Sequence, residues 1–169
     1  MKIIGLDNGT TGSLAVYDTE LNIMAIHSLP TKKELSYQKE AKHITRIDFP
    51  GMCELLSRIK KGENNIHCFM EKPFNAGPRM MNTALISIRC FEAEVIALEE
   101  CEIGYTVVSS KIWQKRMLPK GLKGSAELKK AAYDVAKRLY PYLATKLNLG
   151  NADSVLIAHN FKAGLGSLD

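Results

Sequence analysis

The sequence predicts an α/β fold, with a five-stranded mixed sheet flanked by helices. Three observations predict it. Strand-like apolar runs joined by short turns open the chain. Beyond residue 50, helical spacings alternate with further apolar runs. Hydrophobic residues make up 46% of the 169, enough for a core and too many for a disordered chain. Turn-linked strands followed by alternating helices and strands give a sheet with both antiparallel and parallel pairs, covered on its faces.

The elements follow in order. Lys2–Asp7 is a nearly continuous apolar run, the pattern of a buried strand. Asn8-Gly9-Thr10-Thr11-Gly12 is a turn, with glycines free to take positive φ. Residues 13–19 and 22–29 are two more strands around a tight turn near Glu20-Leu21. Residues 30–46 are polar and charged and are expected to form a long loop. Met52, Leu55, Leu56 and Ile59 recur at helical spacing behind Pro50, which suits a helix start. Gly62-Glu63-Asn64-Asn65 stops that helix. Ile66–Glu71 is a fourth strand, ended by Pro73. Residues 83 to about 102 form a helix with Leu85, Ile88, Val95 and Ile96 facing inward. Residues 105–109 are the fifth strand. A short segment around Trp113 and a Gly/Lys-rich loop over 119–124 follow. Ser125 caps a helix whose inward face carries Leu128, Ala132, Val135 and Leu139, and Pro141 ends it. Residues 152 to about 162 are the last helix. This order, β-β-β-α-β-α-β-α-α, is that of the ribonuclease H-like fold.

Residues 1–169 are expected to form a single domain. The apolar stretches are short and interrupted, well below the ~20 residues a membrane-spanning helix needs. The N-terminus reaches Asp7 too soon for a signal peptide. A soluble, intracellular protein is expected. Among the four cysteines, Cys53, Cys68, Cys90 and Cys101, no pair has C-x-x-C spacing, and no nearby His completes a zinc pattern. Cys53, Cys68 and Cys90 have apolar neighbours and read as small buried hydrophobes. Net charge is +5, unevenly spread: residues 111–146 hold ten Lys/Arg against Glu127 and Asp134, and the remainder is net negative. A one-sided basic region suits a polyanion. A solvated helix face explains the charge alone equally well.

Three acids stand out by position. Asp7 closes the first strand, Glu71 closes the fourth, and Asp153 opens the last helix. Each has an ordinary explanation: a turn residue, a surface strand end and a first-turn acid favoured by the helix dipole. Their joint placement has none. Two strand ends and a helix start can converge at one sheet edge, where buried carboxylates are costly unless a positive group meets them. Magnesium takes carboxylate oxygens and keeps waters. Two such ions ~3.5–4 Å apart can clamp an in-line displacement at phosphorus.

The motifs Ile4-Gly5-Leu6-Asp7-x-Gly9 with Gly12, Met70-Glu71-Lys72-Pro73-Phe74, and Gly150-x-Ala152-Asp153-Ser154-Val155-Leu156-Ile157-Ala158 together resemble the RuvC family of Holliday junction resolvases. The likeness is to its shorter phage-type members and spans nearly the whole chain. It implies a homodimeric, Mg²⁺-dependent endodeoxyribonuclease, with Mn²⁺ able to substitute. Such an enzyme nicks four-way (Holliday) or other branched DNA by two-metal-ion phosphodiester hydrolysis, in recombination and repair. Its place would be the cytoplasm of a bacterium or of a phage-infected host. The resemblance implies Asp7, Glu71 and Asp153 as catalytic metal ligands. It implies that Phe74 stacks on bases near the junction centre, an interaction worth ~1–3 kcal/mol that tolerates any base. It places Lys111 where the family contacts DNA. Lys72, Arg79, Lys115, Arg116, Lys120 and Lys123 are further candidates for phosphate contacts. Trp113 is expected in the core.

The sequence departs from the family pattern in two places. Asn8 stands where the family often has proline. The family also has an acid or histidine a few residues before its last aspartate. Here that stretch is Asn148, Leu149, Gly150 and Asn151. Asn148 or Asn151 could ligate through an amide oxygen, more weakly than an acid. The alternative is a non-catalytic branched-DNA-binding protein of the same fold with an impaired metal site. A third reading, a sugar-kinase-type phosphotransferase, rests on Asp7-Asn8-Gly9-Thr10-Thr11-Gly12. Length opposes it, since such kinases need two lobes.

Overall fold

β1 (Lys2–Asp7) is the centre of the molecule, and the other elements are arranged around it. The computed structural model describes residues 1–35, 43–73 and 81–162. After β1 come β2 (Ser13–Asp18), β3 (Ile23–Ser28), β4 (Thr31–Leu35), β5 (His43–Ile47) and α1 (Phe49–Lys60). Then follow β6 (Ile66–Glu71), α2 (Met81–Glu100), β7 (Gly104–Val108), α3 (Ser110–Met117), α4 (Gly124–Leu139) and α5 (Ala152–Asn160). The main sheet has five strands in the order β3-β2-β1-β6-β7. β1, β6 and β7 are parallel, while β2 and β3 run antiparallel to their neighbours. This is the mixed sheet that the sequence predicts.

Alternation along the strands divides the core between two faces. Ile3, Ala15, Phe69 and Val108 meet Trp113, Ala132, Val135 and Val155 from α3, α4 and α5. Ile4, Leu6, Leu14, Cys68 and Met70 meet Met52, Leu55, Leu56 and Leu98 from α1 and α2. Because β1 is buried on both faces, it reads as a continuous apolar run rather than an alternating one. α5 is apolar nearly all round, with Ala152, Val155, Leu156, Ile157 and Ala158 all buried. It lies directly on β1 at Gly5, where an added Cβ would overlap the Ser154 carbonyl oxygen and the Ala158 amide nitrogen.

Three local expectations are corrected. Residues 30–46 are not simply a loop: β4 and β5 pair antiparallel, Thr31 opposite Ile47 and Leu35 opposite His43. Charge hides this hairpin in the sequence. Glu34 meets Lys32 on its own strand at 2.7 Å and Arg46 across the hairpin at 2.6 Å, so charged side chains stand where alternating apolar residues would mark a strand. The phase of α2 also differs. Val95 packs against the core, but Leu85, Ile88 and Ile96 are 55%, 49% and 51% exposed. Cys90, Glu94, Ala97 and Leu98 face inward instead. Finally, α4 begins at Gly124, with Lys123 rather than Ser125 at its N-cap; Glu127 accepts the Lys123 N–H at 2.7 Å. Ala136 replaces the partly exposed Leu139 on its inner face. Among the described residues no helix is long and apolar enough to cross a membrane.

The Gly5 contact yields a stability prediction. Gly5→Ala must push α5 off β1, and overpacking of this kind costs about 1–3 kcal/mol or more. Gly104→Ala is the control, because only the His67 ring lies near that position. Urea denaturation should show a large loss for the first and little for the second. Equal midpoints would contradict the close packing.

Candidate metal centre and nucleic-acid interface

The parallel strands β1, β6 and β7 end on one edge of the sheet, and the crevice outside the carboxyl ends of such strands is where ligands bind in open α/β sheets. Asp7 and Glu71 each follow the Leu6–Met70 pair by one residue, so the two carboxylates stand on neighbouring strand ends. Both belong to the face that carries Ile3 and Phe69, the face covered by α5. Asp153 enters from the first turn of α5. Two contacts place that turn. One is the Gly5 approach. The other is a buried 2.8 Å hydrogen bond between Ser13 and Ser154, with Ser13 directly opposite Asp7 on β2. Ser154 Oγ also donates to the Asn151 carbonyl at 2.9 Å, closing the helix start.

The three acids feel one another. Burial, followed by the charges of Asp153 and Glu71, pushes the Asp7 carboxyl well above its usual range, and Lys129 opposes this. Burial pushes Glu71 up to about 7 against a hydrogen bond that favours the charged form, with Asp153 adding to the rise. That bond comes from Trp113, whose Nε1 donates to Glu71 Oε2 at 2.9 Å. Burial raises Asp153 to about 6, again opposed by Lys129. The donors are carboxylate oxygens, the kind a hard divalent cation takes. The set is open: among the described residues no three His, Cys, Asp or Glu side chains already surround one point closely enough to hold an ion.

Behind Asp7, the turn over residues 8–10 is held by α2. Asn8 Nδ2 donates to the Ser87 carbonyl at 3.2 Å and to its hydroxyl at 3.1 Å. The Thr10 N–H reaches the Cys90 thiol. The Gly9 N–H donates to Glu94 Oε1 at 3.4 Å. Gly9 has φ 133°, which a residue with a Cβ rarely adopts, and the Gly12 N–H closes the turn onto the Gly9 carbonyl. Glu94 is fully buried, and burial pushes its carboxyl well above the usual range. Glu94 Oε2 and Asn8 Oδ1 are both buried without a hydrogen-bond partner.

Other expected site residues fall as follows. Lys72 is exposed just beyond β6, and its N–H donates to the Val108 carbonyl. Lys111, Lys115 and Arg116 are exposed on α3, which leaves β7 at the same sheet edge. Lys120 and Lys123 are exposed between α3 and α4. Phe74 and Arg79 lie outside the described residues. Asn148 Oδ1 accepts the Gly150 N–H at 2.7 Å in an exposed turn. Trp113 is in the core as expected, and it also holds Glu71. Two residues near Asp7 escape a reading of the sequence. Lys129 is one lysine of a basic stretch, and only the phase of α4 singles it out. Glu94 is hidden because α2 was assigned the wrong inward face.

A five-stranded mixed sheet in this order, flanked by helices on both faces, is the ribonuclease H-like fold. Within it, the chain is similar in structure to RuvC of Thermus thermophilus. A structure of that protein in complex with a Holliday junction substrate matches with a TM-score of 0.63 at 13% identity, covering 99% of this chain and 97% of that one. A second Thermus thermophilus RuvC structure matches with a TM-score of 0.51 at 13% identity, covering 99% and 98%. No protein-family model matches the sequence, and no curated protein matches it.

The raised carboxyls make metal-free stability depend on pH. In the unfolded chain these acids lose their protons near pH 4. In the folded chain burial moves this loss up to about 6 for Asp153 and about 7 for Glu71, and well above the usual carboxyl range for Asp7. The folded state therefore binds more protons in between, and stability falls as pH rises through that window. The loss is on the order of 3 kcal/mol for Glu71. Burial also holds His27, His67 and His159 toward the neutral form, which acts in the opposite sense, so the test is a difference. In thermal melts in EDTA, Asp7→Asn should raise the Tm over the parent more at pH 8 than at pH 5, and an equal change at both would contradict the shared burial.

Proposed function

We propose that residues 1–169 act as one nuclease domain, a metal-dependent endonuclease that nicks four-way or other branched DNA. The observation that carries this reading is the convergence of Asp7, Glu71 and Asp153 beside basic α3, in a fold shared with a RuvC seen on a Holliday junction. Asp7, Glu71 and Asp153 would hold Mg²⁺ or Mn²⁺. The ions, when bound, supply Lewis-acid stabilisation of the charge that develops at phosphorus. Trp113 orients Glu71 and favours its charged form. Lys129 adds positive charge beside Asp7 and Asp153. Lys72, Lys111, Lys115, Arg116, Lys120 and Lys123 would contact phosphates, so affinity should fall steeply with salt. Phe74 would stack on a base. The setting would be the cytoplasm of a bacterium or of an infected host.

A labelled four-way junction incubated with Mg²⁺ or Mn²⁺ tests the proposal. Symmetric nicks are expected, absent with Asp7→Asn and slowed about a hundredfold with Lys129→Ala. If junction, flap and duplex all stay intact, the enzymatic reading fails. A second reading is a binder of branched DNA that does not cut. It is favoured by the uncharged 148–151 stretch, where Asn148 Oδ1 is already engaged by Gly150. It predicts junction binding in EDTA and no cleavage with either metal.

The proposal includes a homodimer. Leu85, Ile88 and Ile96 are exposed apolar residues on the outer face of α2, with Glu92 between Ile88 and Ile96, and exposed apolar surface of this kind marks interaction sites. Ile88→Asp and Ile96→Asp should each convert a dimer to a monomer in light scattering at micromolar concentration. A parent protein that is itself monomeric there removes the dimer from the reading.

A further inference from the structure

The turn that follows Asp7 is tied to α2 by polar contacts, and one of its anchors has no evident structural purpose. Glu94 is 0% exposed, in the middle of a helix whose other inward residues are apolar or small. A carboxyl in such a place is costly unless its oxygens are matched. Only Oε1 is matched, by the Gly9 N–H, and Oε2 has no partner. Apolar packing would fill the space without that cost, so a glutamate here points to a role beyond the core. Three contacts run along one face of α2, Ser87 to Asn8, Cys90 to Thr10 and Glu94 to Gly9. Together they hold the three residues after Asp7. They act from the face of the sheet opposite α5 and set where β1 ends, and the charge of Asp7 is felt at Glu94.

We propose that Glu94 is a positioning residue for the metal centre: by accepting the Gly9 N–H from behind the sheet it fixes the end of β1, and with it the direction of Asp7. The inference rests on the metal-dependent reading and deepens it. Acids at the metal centre repel one another, and the turn beyond Asp7 is closed on itself by the Gly12 N–H at the Gly9 carbonyl but needs holding from outside. Glu94 and the Asn8–Ser87 contact supply that restraint. Residues that orient a ligand in this way are worth about 10–100-fold in metal affinity.

The test is Mn²⁺ binding to the full chain without DNA, read by electron paramagnetic resonance of the free ion. Four-way junction binding in EDTA and single-turnover cleavage accompany it. Glu94→Leu fills the space and removes the acceptor. Glu94→Gln keeps the shape and the acceptor oxygen. Glu94→Leu should weaken Mn²⁺ binding about tenfold or more, slow cleavage, and leave metal-free junction binding unchanged. Glu94→Gln should restore Mn²⁺ binding to near the parent value. Unchanged affinity in Glu94→Leu overturns the proposal, and so does an equal loss in both variants. If Glu94→Leu does not fold, Asn8→Ala removes the neighbouring tether, and unchanged Mn²⁺ affinity there overturns the proposal as well. A parent protein that binds no Mn²⁺ sinks the metal-dependent reading itself. That outcome is distinct from a parent that binds Mn²⁺ while the variants match it.

Discussion

The backbone of α5 rests on the backbone of β1 at Gly5, with no side chain between them. That contact determines how near the start of α5 comes to the end of β1. The register of β1 against β6 determines how near Asp7 comes to Glu71. Two backbone constraints thus bring three acids from residues 7, 71 and 153 to one sheet edge. The Ser13–Ser154 hydrogen bond locks the rotation of the α5 start once the approach is made. Side-chain chemistry then acts on a geometry that the backbone has already imposed.

What the backbone imposes is electrostatically unfavourable. Each acid loses hydration, and Asp7 also meets the charges of the other two. Two features reduce the cost without removing it. Trp113 donates to Glu71 from within the apolar core, and Lys129 reaches toward Asp7 and Asp153 from α4. Lys129 offsets two of the three carboxylates only, and all three carboxyls stay raised. The remaining imbalance is what a bound cation, and then a phosphodiester beside it, would correct. On the proposed reading the folded state would be less favourable without a bound cation than with one, as expected where a site is built for binding rather than for stability.

Much of this was legible in the sequence, for identifiable reasons. β1 and β6 are buried strands ending in acids, and a short, mostly apolar run closed by a carboxylate is easy to see. The inward face of α1 was read residue by residue, because Met52, Leu55, Leu56 and Ile59 answer only to the core. The β4–β5 hairpin was not legible: its strands carry Lys32, Lys33, Glu34 and Arg46, and charged alternation looks like a loop. Trp113 was placed in the core, but its hydrogen bond to Glu71 depends on how α3 lies against β6, and no local pattern carries that. Lys129 could be counted as basic, yet only the packing of α4 against α5 turns it toward Asp7.

α2 shows why such readings fail where they do. Hydrophobic spacing identifies the buried face of a helix only if the core is its sole apolar neighbour. On α2 the inward face carries Ser87, Cys90 and Glu94 because it holds the turn beyond Asp7. The outward face carries Leu85, Ile88 and Ile96, which nothing in the chain's described residues covers. On the proposed reading, both departures follow from a helix that serves two surfaces at once. A polar inner face is costly to folding, and an apolar outer face is costly to solubility. A single subunit recovers neither cost, whereas a metal centre on one side and an apposed copy of the chain on the other would recover both.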